Sequence, residues 1–382
     1  MELIKQTDRI KNVNLITVFL WIAILKELII PFGKETPLIK ISLSLIFFLF
    51  LIKSLIIDYR FNYRNMLLIS ILFLISFYNF SNILLIYSTF TAIIVLSFDH
   101  EYKISKYHSY ILYLVMSVAI IYWSLNTSDD DFRVTINGPD PNFSGAKILM
   151  FFYFCDKMDF KLGKILSYVM MILIASRNLI LAIFIFYLIR YLKPKIRIIL
   201  KKVQNFSLLI FLFFLLIFVV SLVFIEFSSV SRTKEDRLGR MTSVGDTSNL
   251  LRFYNNFLTF DKLVKDPETL IWGLKEGYQN YFVYENPLHY YPHNSLLSLL
   301  SEVGLLYFVL YIAILSKVIS KAFTYKNYEY LYSFLFFITF LHDFLRSIPL
   351  LFFLSIFFIS KKDRKHNMLQ YYIFKYKKII EE

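Results

Sequence analysis

The sequence is poor in the residues that build several common kinds of functional site. Its single cysteine, Cys155, lies in an apolar run, which excludes a disulfide framework and a thiolate metal cluster. Neither G-x-x-x-x-G-K-S/T nor G-x-G-x-x-G occurs, so the chain lacks the two common glycine-rich phosphate loops of nucleotide-binding proteins. We therefore expect neither a metal bound by thiolates nor a nucleotide cofactor.

Apolar residues dominate what is present. The 382 residues are 57% hydrophobic and 19% aromatic, with a mean hydropathy of +0.57, well above an ordinary soluble domain. The formal charge of +14 would suggest nucleic acid in a soluble protein. Membrane proteins, however, collect Lys and Arg in their cytoplasmic loops. We predict an all-α, polytopic membrane protein whose partner is the lipid bilayer and not a nucleic acid.

The apolar runs predict about twelve membrane-spanning helices, since a helix needs about 20 apolar residues to cross a bilayer. Their centres are Val13–Ile30, Leu38–Ile57, Met66–Phe80, Ile83–Phe98, Tyr107–Leu125, Ala146–Cys155, Leu162–Ala175, Leu179–Leu192, Phe206–Phe227, Ser295–Leu315, Tyr328–Leu341 and Ile348–Ile359. This divides the chain into residues 1–227 with nine helices, an outer loop 228–292, residues 293–360 with three helices, and a basic tail 361–382.

The distribution of cations gives the orientation. With the N-terminus inside, the inner segments carry clusters that include Lys103 and Lys106; Lys157, Lys161 and Lys164; Arg190 to Lys202; and the tail from Lys361. The outer connections hold only scattered cations. Because this obeys the positive-inside rule, we predict that both termini are cytoplasmic.

The large outer loop should contain structure of its own, because long structureless loops are uncommon. Apolar residues recur every three or four positions from Asn249 to Lys265, which predicts an amphipathic helix with Ser248 as its N-cap. Asp266 before Pro267 ends it. The glycines of WGLKEG, residues 272–277, indicate a backbone turn.

His293 and Asn294 follow this loop and begin a helical pattern. His293, Leu297, Leu300, Gly304, Tyr307 and Tyr311 are three or four residues apart, which predicts that they share one face of a continuous helix. Pro292 suits the first turn, so His293 should lie near the start of the helix, where the dipole keeps its ring neutral. Gly304 would let another helix approach closely.

Several arginines need an explanation. Arg177 stands between two apolar runs, and both a snorkelling hinge and a forked diphosphate clamp explain it. Arg133 precedes the predicted outer turn Gly138–Asn142. Arg252 lies in the first turn of the loop helix, where a cation is slightly unfavourable. For Arg346 the simpler account is an ion pair with Asp343.

All these residues map to the outer side, where no ATP is present. Bond formation there needs a donor that carries its own leaving group, and a membrane-anchored sugar diphosphate meets this need. Arginines would stabilise the leaving diphosphate, and a neutral His293 could take the proton of the attacking hydroxyl.

At this point the chain resembles the O-antigen polymerase and O-antigen ligase superfamily of bacterial envelope enzymes. The resemblance rests on His293-Asn294, nine residues, Gly304, two residues and Tyr307. Further support comes from Arg133 with Pro141-Asn142, from Ser176-Arg177, and from Arg252 upstream of Pro267 and Gly273. WGLKEG lacks the denser glycine pattern of many members.

The resemblance implies a C-type glycosyltransferase-like fold in the bacterial inner membrane, with metal-independent transfer from an undecaprenyl-diphosphate-linked oligosaccharide. It implies catalytic roles for His293, Arg252 and Arg177, with Arg133, Asn294 and Asn142 in substrate binding. Arg346, which also maps to the outer side, is a further candidate for substrate binding. A chain-length regulator and a flippase of the same pathway are the candidate protein partners.

Three activities stay open. A polymerase joins lipid-linked repeat units, whereas a ligase transfers the glycan to lipid A core, whose phosphates favour a basic loop. Residues 228–292 contain eight Lys and Arg and eight Asp and Glu, which favours the polymerase. A flippase would suit twelve spans, but we find neither an internal repeat nor clear mid-span charges.

Overall fold

Helices make up nearly all of the described structure. The computed structural model describes residues 17, 20–31, 104–127, 134–138, 141–200, 247–274, 281, 294–324, 327–339 and 348–359, and these contain no β-strand. The predicted all-α class is therefore confirmed for this part of the chain. The predicted spans Leu38–Ile57, Met66–Phe80, Ile83–Phe98 and Phe206–Phe227, and the basic tail, lie outside it.

Nine α-helices are described, after a π-helical turn at Leu25–Ile29. They are α1 (Lys106–Asn126), α2 (Pro141–Met158), α3 (Lys161–Ile174), α4 (Arg177–Leu200), α5 (Thr247–Lys265), α6 (Pro267–Trp272), α7 (Ser295–Thr324), α8 (Tyr328–Thr339) and α9 (Ile348–Phe358). Helices α1, α3, α4, α8 and α9 coincide with predicted apolar runs. Helix α5 begins at Thr247, so the predicted cap Ser248 is already inside the helix, and it ends at Lys265 as predicted.

Local sequence explains several helix ends. The Ser105 hydroxyl accepts a hydrogen bond from the His108 amide, as an N-cap of α1 should. Ala175 has a left-handed conformation with φ of 53°, which ends α3 two residues before α4 begins at Arg177. The Ser176-Arg177 break between two apolar runs is thus a helix boundary, as predicted.

Each of the helices α1 to α4 is antiparallel to the next, so the helix ends lie at two opposite ends of the bundle. The Ser109 hydroxyl at the start of α1 contacts Met158 Sδ at the end of α2. We call this the Lys157 end; Lys106, Lys157, Lys161 and Lys164 all belong to it. At the opposite Arg177 end, the Trp123 indole donates a 2.6 Å hydrogen bond to the Leu28 carbonyl.

Aromatic side chains join α2, α4, α8 and α9 into one core. The rings of Tyr153 and Tyr330 lie 5.3 Å apart, and those of Phe334 and Phe353 lie 5.1 Å apart. Such pairs add about 0.5–1.5 kcal/mol each beyond area burial. The Ser333 hydroxyl donates to the Ala182 carbonyl at 2.6 Å, so α8 packs along α4, with its start at the Lys157 end and its last turn toward Arg177.

Two segments of the described residues have the length and composition to cross a membrane. They are α1, with a mean hydropathy of 1.5, and Leu296–Ala313 within α7, with a mean hydropathy of 2.0. Buried helices of water-soluble proteins can meet the same criteria, so the twelve-span arrangement stays a prediction.

Candidate functional site

Asn142 and Arg177 lie at the same end of the helices. Arg177 is the first residue of α4, and Asn142 is the second residue of α2. A Cβ placed on Gly145, one turn into α2, would lie 3.1 Å from Ser176 Oγ. The start of α2 therefore packs against the chain beside Arg177, and two helix N-termini with partial positive charge meet there.

The placement of Asn142 corrects one prediction. The turn chemistry of residues 138–142 predicts an outer turn, whereas Pro141 and Asn142 already belong to α2. Proline suits the first turn of a helix because its missing N–H would have no partner there. Asn142 is consequently held by a helix.

A backbone tie closes the segment that contains Arg133. The Thr135 amide donates to the Thr127 carbonyl at 3.3 Å, and the Thr127 hydroxyl donates to the Thr135 carbonyl at 2.6 Å. The Val134 amide donates to the Leu173 carbonyl, also at 3.3 Å. Arg133 itself lies outside the described residues, but the residue after it is tied to the chain four positions before Arg177.

Lys147 braces the same region from inside. Its buried ammonium donates to the carbonyls of Ile136 and Asn137 at 2.8 and 2.7 Å. Asn137, with φ of 48°, donates through Nδ2 to the carbonyls of Glu27 and Ile30. This arrangement fixes residues 134–138 between α2 and the π-helical turn, although Lys147 was not among the predicted site residues.

Helix α5 turns a polar face inward. It contacts α6 and α7, and its buried side chains include Asn255, Asn256 and Thr259. Its apolar residues Phe257 and Val264 are exposed. Arg252 lies in the same helix, three residues before Asn255 and four before Asn256.

Asn294 caps the N-terminus of α7. Its Oδ1 accepts from the amides of Leu296 and Leu297 at 3.0 and 3.1 Å, and the residue is buried. Its buried Nδ2 has no hydrogen-bond partner among the described residues. The helix begins at Ser295, after the predicted start at Pro292, because Asn294 satisfies the first free amides.

A second correction concerns the face predicted to run from His293 to Tyr311. Gly304 has φ of 77° and ψ of 173°, which breaks the helix between its first nine residues and the rest. The Ser301 carbonyl instead accepts a 2.8 Å hydrogen bond from the Leu274 amide. Leu297 and Leu300 therefore lie on a different helical segment from Tyr307 and Tyr311.

The close approach predicted at Gly304 is present, but the neighbour is the end of the short helix α6. A Cβ on Gly304 would lie 2.2 Å from the Ile271 carbonyl oxygen.

Asp266 caps α6, and hydrogen bonds from the Thr269 hydroxyl and amide, with Lys262 nearby, lower the pKa of its carboxyl group.

Two groups of predicted site residues result. Asn142 and Arg177 form the first. Asn294 and the position of Arg252 belong to the second, on the packed unit of α5, α6 and α7. Helix α7 ends three residues before Asn327, which binds Lys157, so the last turn of α7 lies at the Lys157 end. His293, Arg133 and Arg346 lie outside the described residues, and their roles stay predictions.

Sequence reasoning missed a charged cluster at the Lys157 end. Asp156 accepts two hydrogen bonds from Arg190, at 2.9 and 2.5 Å, and one from the Tyr330 hydroxyl. Lys157 donates to Asn327 Oδ1 at 2.5 Å and to the Ile359 carbonyl at 2.8 Å. The sequence places Asp156 and Arg190 at the ends of two apolar runs, but their distance along the chain does not indicate that they pair.

The described residues offer donors and positive ends of helices at the Arg177 end. They contain no group of three or more His, Cys, Asp and Glu side chains that could hold a metal ion. Such an arrangement can bind an anion and orient a hydroxyl group through amides. Comparison with protein-family models, with curated proteins and with solved structures finds no match to this chain.

Proposed function

We propose that this chain is a glycosyltransferase of the bacterial inner membrane that polymerises lipid-linked repeat units, similar to the O-antigen polymerases. The donor is an undecaprenyl-diphosphate-linked glycan, and the acceptor is a second lipid-linked unit. About twelve helices span the membrane, both termini are cytoplasmic, and the Arg177 end faces outward. The reaction uses neither metal nor nucleotide.

Exposed apolar stripes support the membrane location. On α1 the exposed residues include Leu114, Val118, Ile121 and Leu125, which recur at helical spacing. On α3 they are Leu162, Ile165, Val169 and Ile172. Large contiguous apolar surfaces are rare on soluble monomers, whereas lipid accommodates them.

The observation that carries the proposal is the polar interior of the α5, α6 and α7 unit. Apart from Leu263, the described side chains that α5 buries are amides and a hydroxyl, while the start of α7 buries Asn294, Ser298 and Ser301 beside the apolar Leu296, Leu297, Leu299 and Val303. Hydroxyl and amide groups are the partners that a sugar requires. Arg252 lies three residues before Asn255 in α5, and His293 directly precedes Asn294.

The diphosphate site is proposed at the start of α4. Arg177 there adds a full charge to the helix N-terminus, and the hydrogen bond from Val134 to Leu173 holds the residue that follows Arg133 close to the start of α4. Guanidinium groups bind phosphate oxygens with two parallel donors, which a lysine does not.

The proposed step is an inverting displacement. The acceptor hydroxyl oxygen attacks the anomeric carbon and forms the new glycosidic bond. The bond from that carbon to the phosphate oxygen breaks, and its electron pair leaves with undecaprenyl diphosphate. His293 takes the hydroxyl proton, while Arg177, Arg252 and Arg133 stabilise the charge on the leaving diphosphate. Asn294, Asn142 and Arg346 orient the substrates.

The glycan profile of a strain lacking the gene tests this proposal. Lipopolysaccharide with a single repeat unit, restored to long chains by the wild-type gene, supports the polymerase. Free polymer without attachment to lipid A identifies the alternative, a ligase. Cytoplasmic accumulation of lipid-linked units identifies the second alternative, a flippase, and either result refutes the polymerase.

A further inference from the structure

The break at Gly304 separates two chemically different parts of α7. The first part buries Ser298, Ser301 and Glu302, with Glu302 only 5% exposed, among the buried apolar side chains of Leu296, Leu297, Leu299 and Val303. Beyond the break, Leu305, Leu306 and Val309 are exposed, and Leu306 reaches 51%. The buried Ser and Glu side chains end, and the exposed apolar side chains begin, at this break.

The end of α6 meets the chain at this boundary. A Cβ on Gly304 would lie 2.6 Å from the carbonyl carbon of Trp272. Ile271 and Trp272 are 46% and 49% exposed, although both are large and apolar. Asp266 caps α6 and Glu268 lies in its first turn, so charge lies at one end of this short helix and the indole of Trp272 at the other.

We propose that the surface formed by Ile271, Trp272, Leu305 and Leu306 lies in the interface of a phospholipid bilayer, and that α7 enters the hydrocarbon at Gly304. The inference rests on the proposed membrane location and is independent of the sugar-transfer reaction. It moves the start of this span from Ser295 to Gly304, which places the first residues of the apolar segment Leu296–Ala313 outside the hydrocarbon, where their side chains are buried within the protein. Asn294 and the polar start of α7 then stand outside the hydrocarbon, at the level of a lipid diphosphate.

The position of Glu302 favours this boundary. A span that began at Ser295 would carry Glu302 about 10 Å into the hydrocarbon, where an ionisable side chain is costly. With entry at Gly304, Glu302 stays outside. Tryptophan is enriched at the bilayer interface, where its ring is buried and its N–H reaches polar groups.

The length of the remaining helix also fits. Leu305–Thr324 comprises 20 residues of α7, or about 30 Å of helix, which is about the thickness of the hydrocarbon. Lys317 and Lys321 occupy positions in its last two turns, from which long cationic side chains commonly extend to the interface.

Depth measurements on the purified full-length protein in phospholipid nanodiscs test the proposal. Buried Cys155 is replaced by Ala, and single cysteines at Leu306, Ala313, Ile271 and Glu268 carry an environment-sensitive fluorophore. All four positions are exposed or partly exposed, so the substitutions should be tolerated. Nitroxide lipids labelled at shallow or deep positions and aqueous iodide serve as quenchers, and monodispersity on size exclusion confirms folding.

Entry at Gly304 places Leu306 about 3 Å deep and Ala313 about 14 Å deep, whereas entry at Ser295 places Leu306 about 16 Å deep. We expect Leu306 and Ile271 to be quenched most by the shallow nitroxide, Ala313 by the deep one, and Glu268 by iodide alone. Deeper quenching at Leu306, or an Ile271 label that behaves like Glu268, would overturn the proposal. Sugar transfer by the same unlabelled protein is assayed separately, so failure of either proposal is recognised on its own.

Discussion

Gly273 and Gly304 meet backbone to backbone, and neither position has room for a side chain. A Cβ on Gly273 would lie 2.2 Å from the Glu302 carbonyl oxygen and 2.6 Å from the Gly304 amide nitrogen. Both residues have positive φ, of 76° and 77°, a conformation that suits glycine. The contact fixes the end of α6 against the break in α7 and so sets how the polar unit is assembled.

Replacing Gly304 by Ala should destabilise the protein by about 2 kcal/mol or more, because the substitution adds a steric clash to an unfavourable φ. Thermal unfolding of the detergent-purified protein measures the effect. The control is Gly145→Ala, whose Cβ would lie 3.1 Å from Ser176 Oγ at an ordinary helical φ. We expect that variant to change stability by less than about 1 kcal/mol. Equal unfolding temperatures for the two variants would contradict the close contact.

The Asp156–Arg190 pair should be one of the stronger polar links among the described helices. Asp156 is buried, and Arg190 joins it from α4 with two hydrogen bonds. Replacing Arg190 by Met should lower the free energy of unfolding by about 3 kcal/mol, because the buried Asp156 carboxylate loses its hydrogen bonds from the guanidinium group. Adding Asp156→Asn to that variant should recover part of the loss in a double-mutant cycle of unfolding free energies.

A surface pair provides the comparison for this cycle. Lys265 Nζ lies 2.7 Å from Asp261 Oδ2 on the exposed side of α5. Replacing Lys265 by Met should change stability by less than about 1 kcal/mol, since water screens such pairs. For the buried pair of the preceding cycle, additive changes in the free energy of unfolding would mean that Asp156 and Arg190 act independently.

Hydropathy and helix-end signals predicted the all-α class and the positions of several helices. The apolar run Tyr107–Leu125 corresponds to α1, and the three- to four-residue repeat after Asn249 corresponds to α5. Such signals are local, because propensity and periodicity act within a few turns of one helix. The break at Gly304 is different, since it depends on α6 approaching from about 30 residues earlier in the chain.

The sequence predicted which residues form the candidate site, and the structure bears only on how some of them are arranged. The order of Asn142 and Arg177 along the chain, with the charges of the loops, predicted that they share one end. Spacing could not indicate that α5 buries Asn255 and Asn256 while exposing Phe257. Which face of an amphipathic helix is buried depends on its surroundings, and beside lipid the apolar face can be the outer one.

Lys147 should matter to activity through the segment that it holds. Replacing it by Met leaves the carbonyls of Ile136 and Asn137 without its ammonium, and should loosen residues 134–138 beside the proposed diphosphate site. We expect polymer yield to fall on the order of tenfold or more, because small displacements of binding groups are costly to rate. Lys147→Arg should restore part of the yield.

Lys161→Met is the matched control for this lysine. Lys161 is exposed at the opposite end of the helices, so its removal should leave polymer yield unchanged at equal protein levels. A normal polymer yield from Lys147→Met would show that activity does not depend on the hydrogen bonds by which Lys147 holds residues 134–138.

The cap of α6 predicts a pH dependence. The pKa of Asp266 is lowered in the folded protein by hydrogen bonds from Thr269, so its stabilising effect is complete above the unfolded value of about 3.9. The effect is lost as pH falls through the folded value. Between pH 5 and pH 3 the unfolding temperature should fall more for the wild type than for Asp266→Asn. Parallel curves would show that the cap does not contribute.

The forked geometry of Arg177 can be tested by Arg177→Lys, which keeps the charge and loses the paired donors. We expect weaker donor binding, seen as a KM raised on the order of tenfold in an assay with purified protein. Adding Asn178→Lys to the Arg177→Lys variant should not restore the KM, because Asn178 lies one position further into α4. An unchanged KM for Arg177→Lys would contradict paired binding of the diphosphate.

Sugar transfer by the purified protein tests the central claim most directly. Wild-type protein and His293→Ala are reconstituted in nanodiscs at equal amounts and supplied with an undecaprenyl-diphosphate-linked repeat unit, a chelator and no nucleotide. We expect the wild type to release undecaprenyl diphosphate and form polymer, and His293→Ala to form none. Polymer formed equally by both proteins would contradict the proposed site, and a wild type that forms none would contradict the proposed reaction.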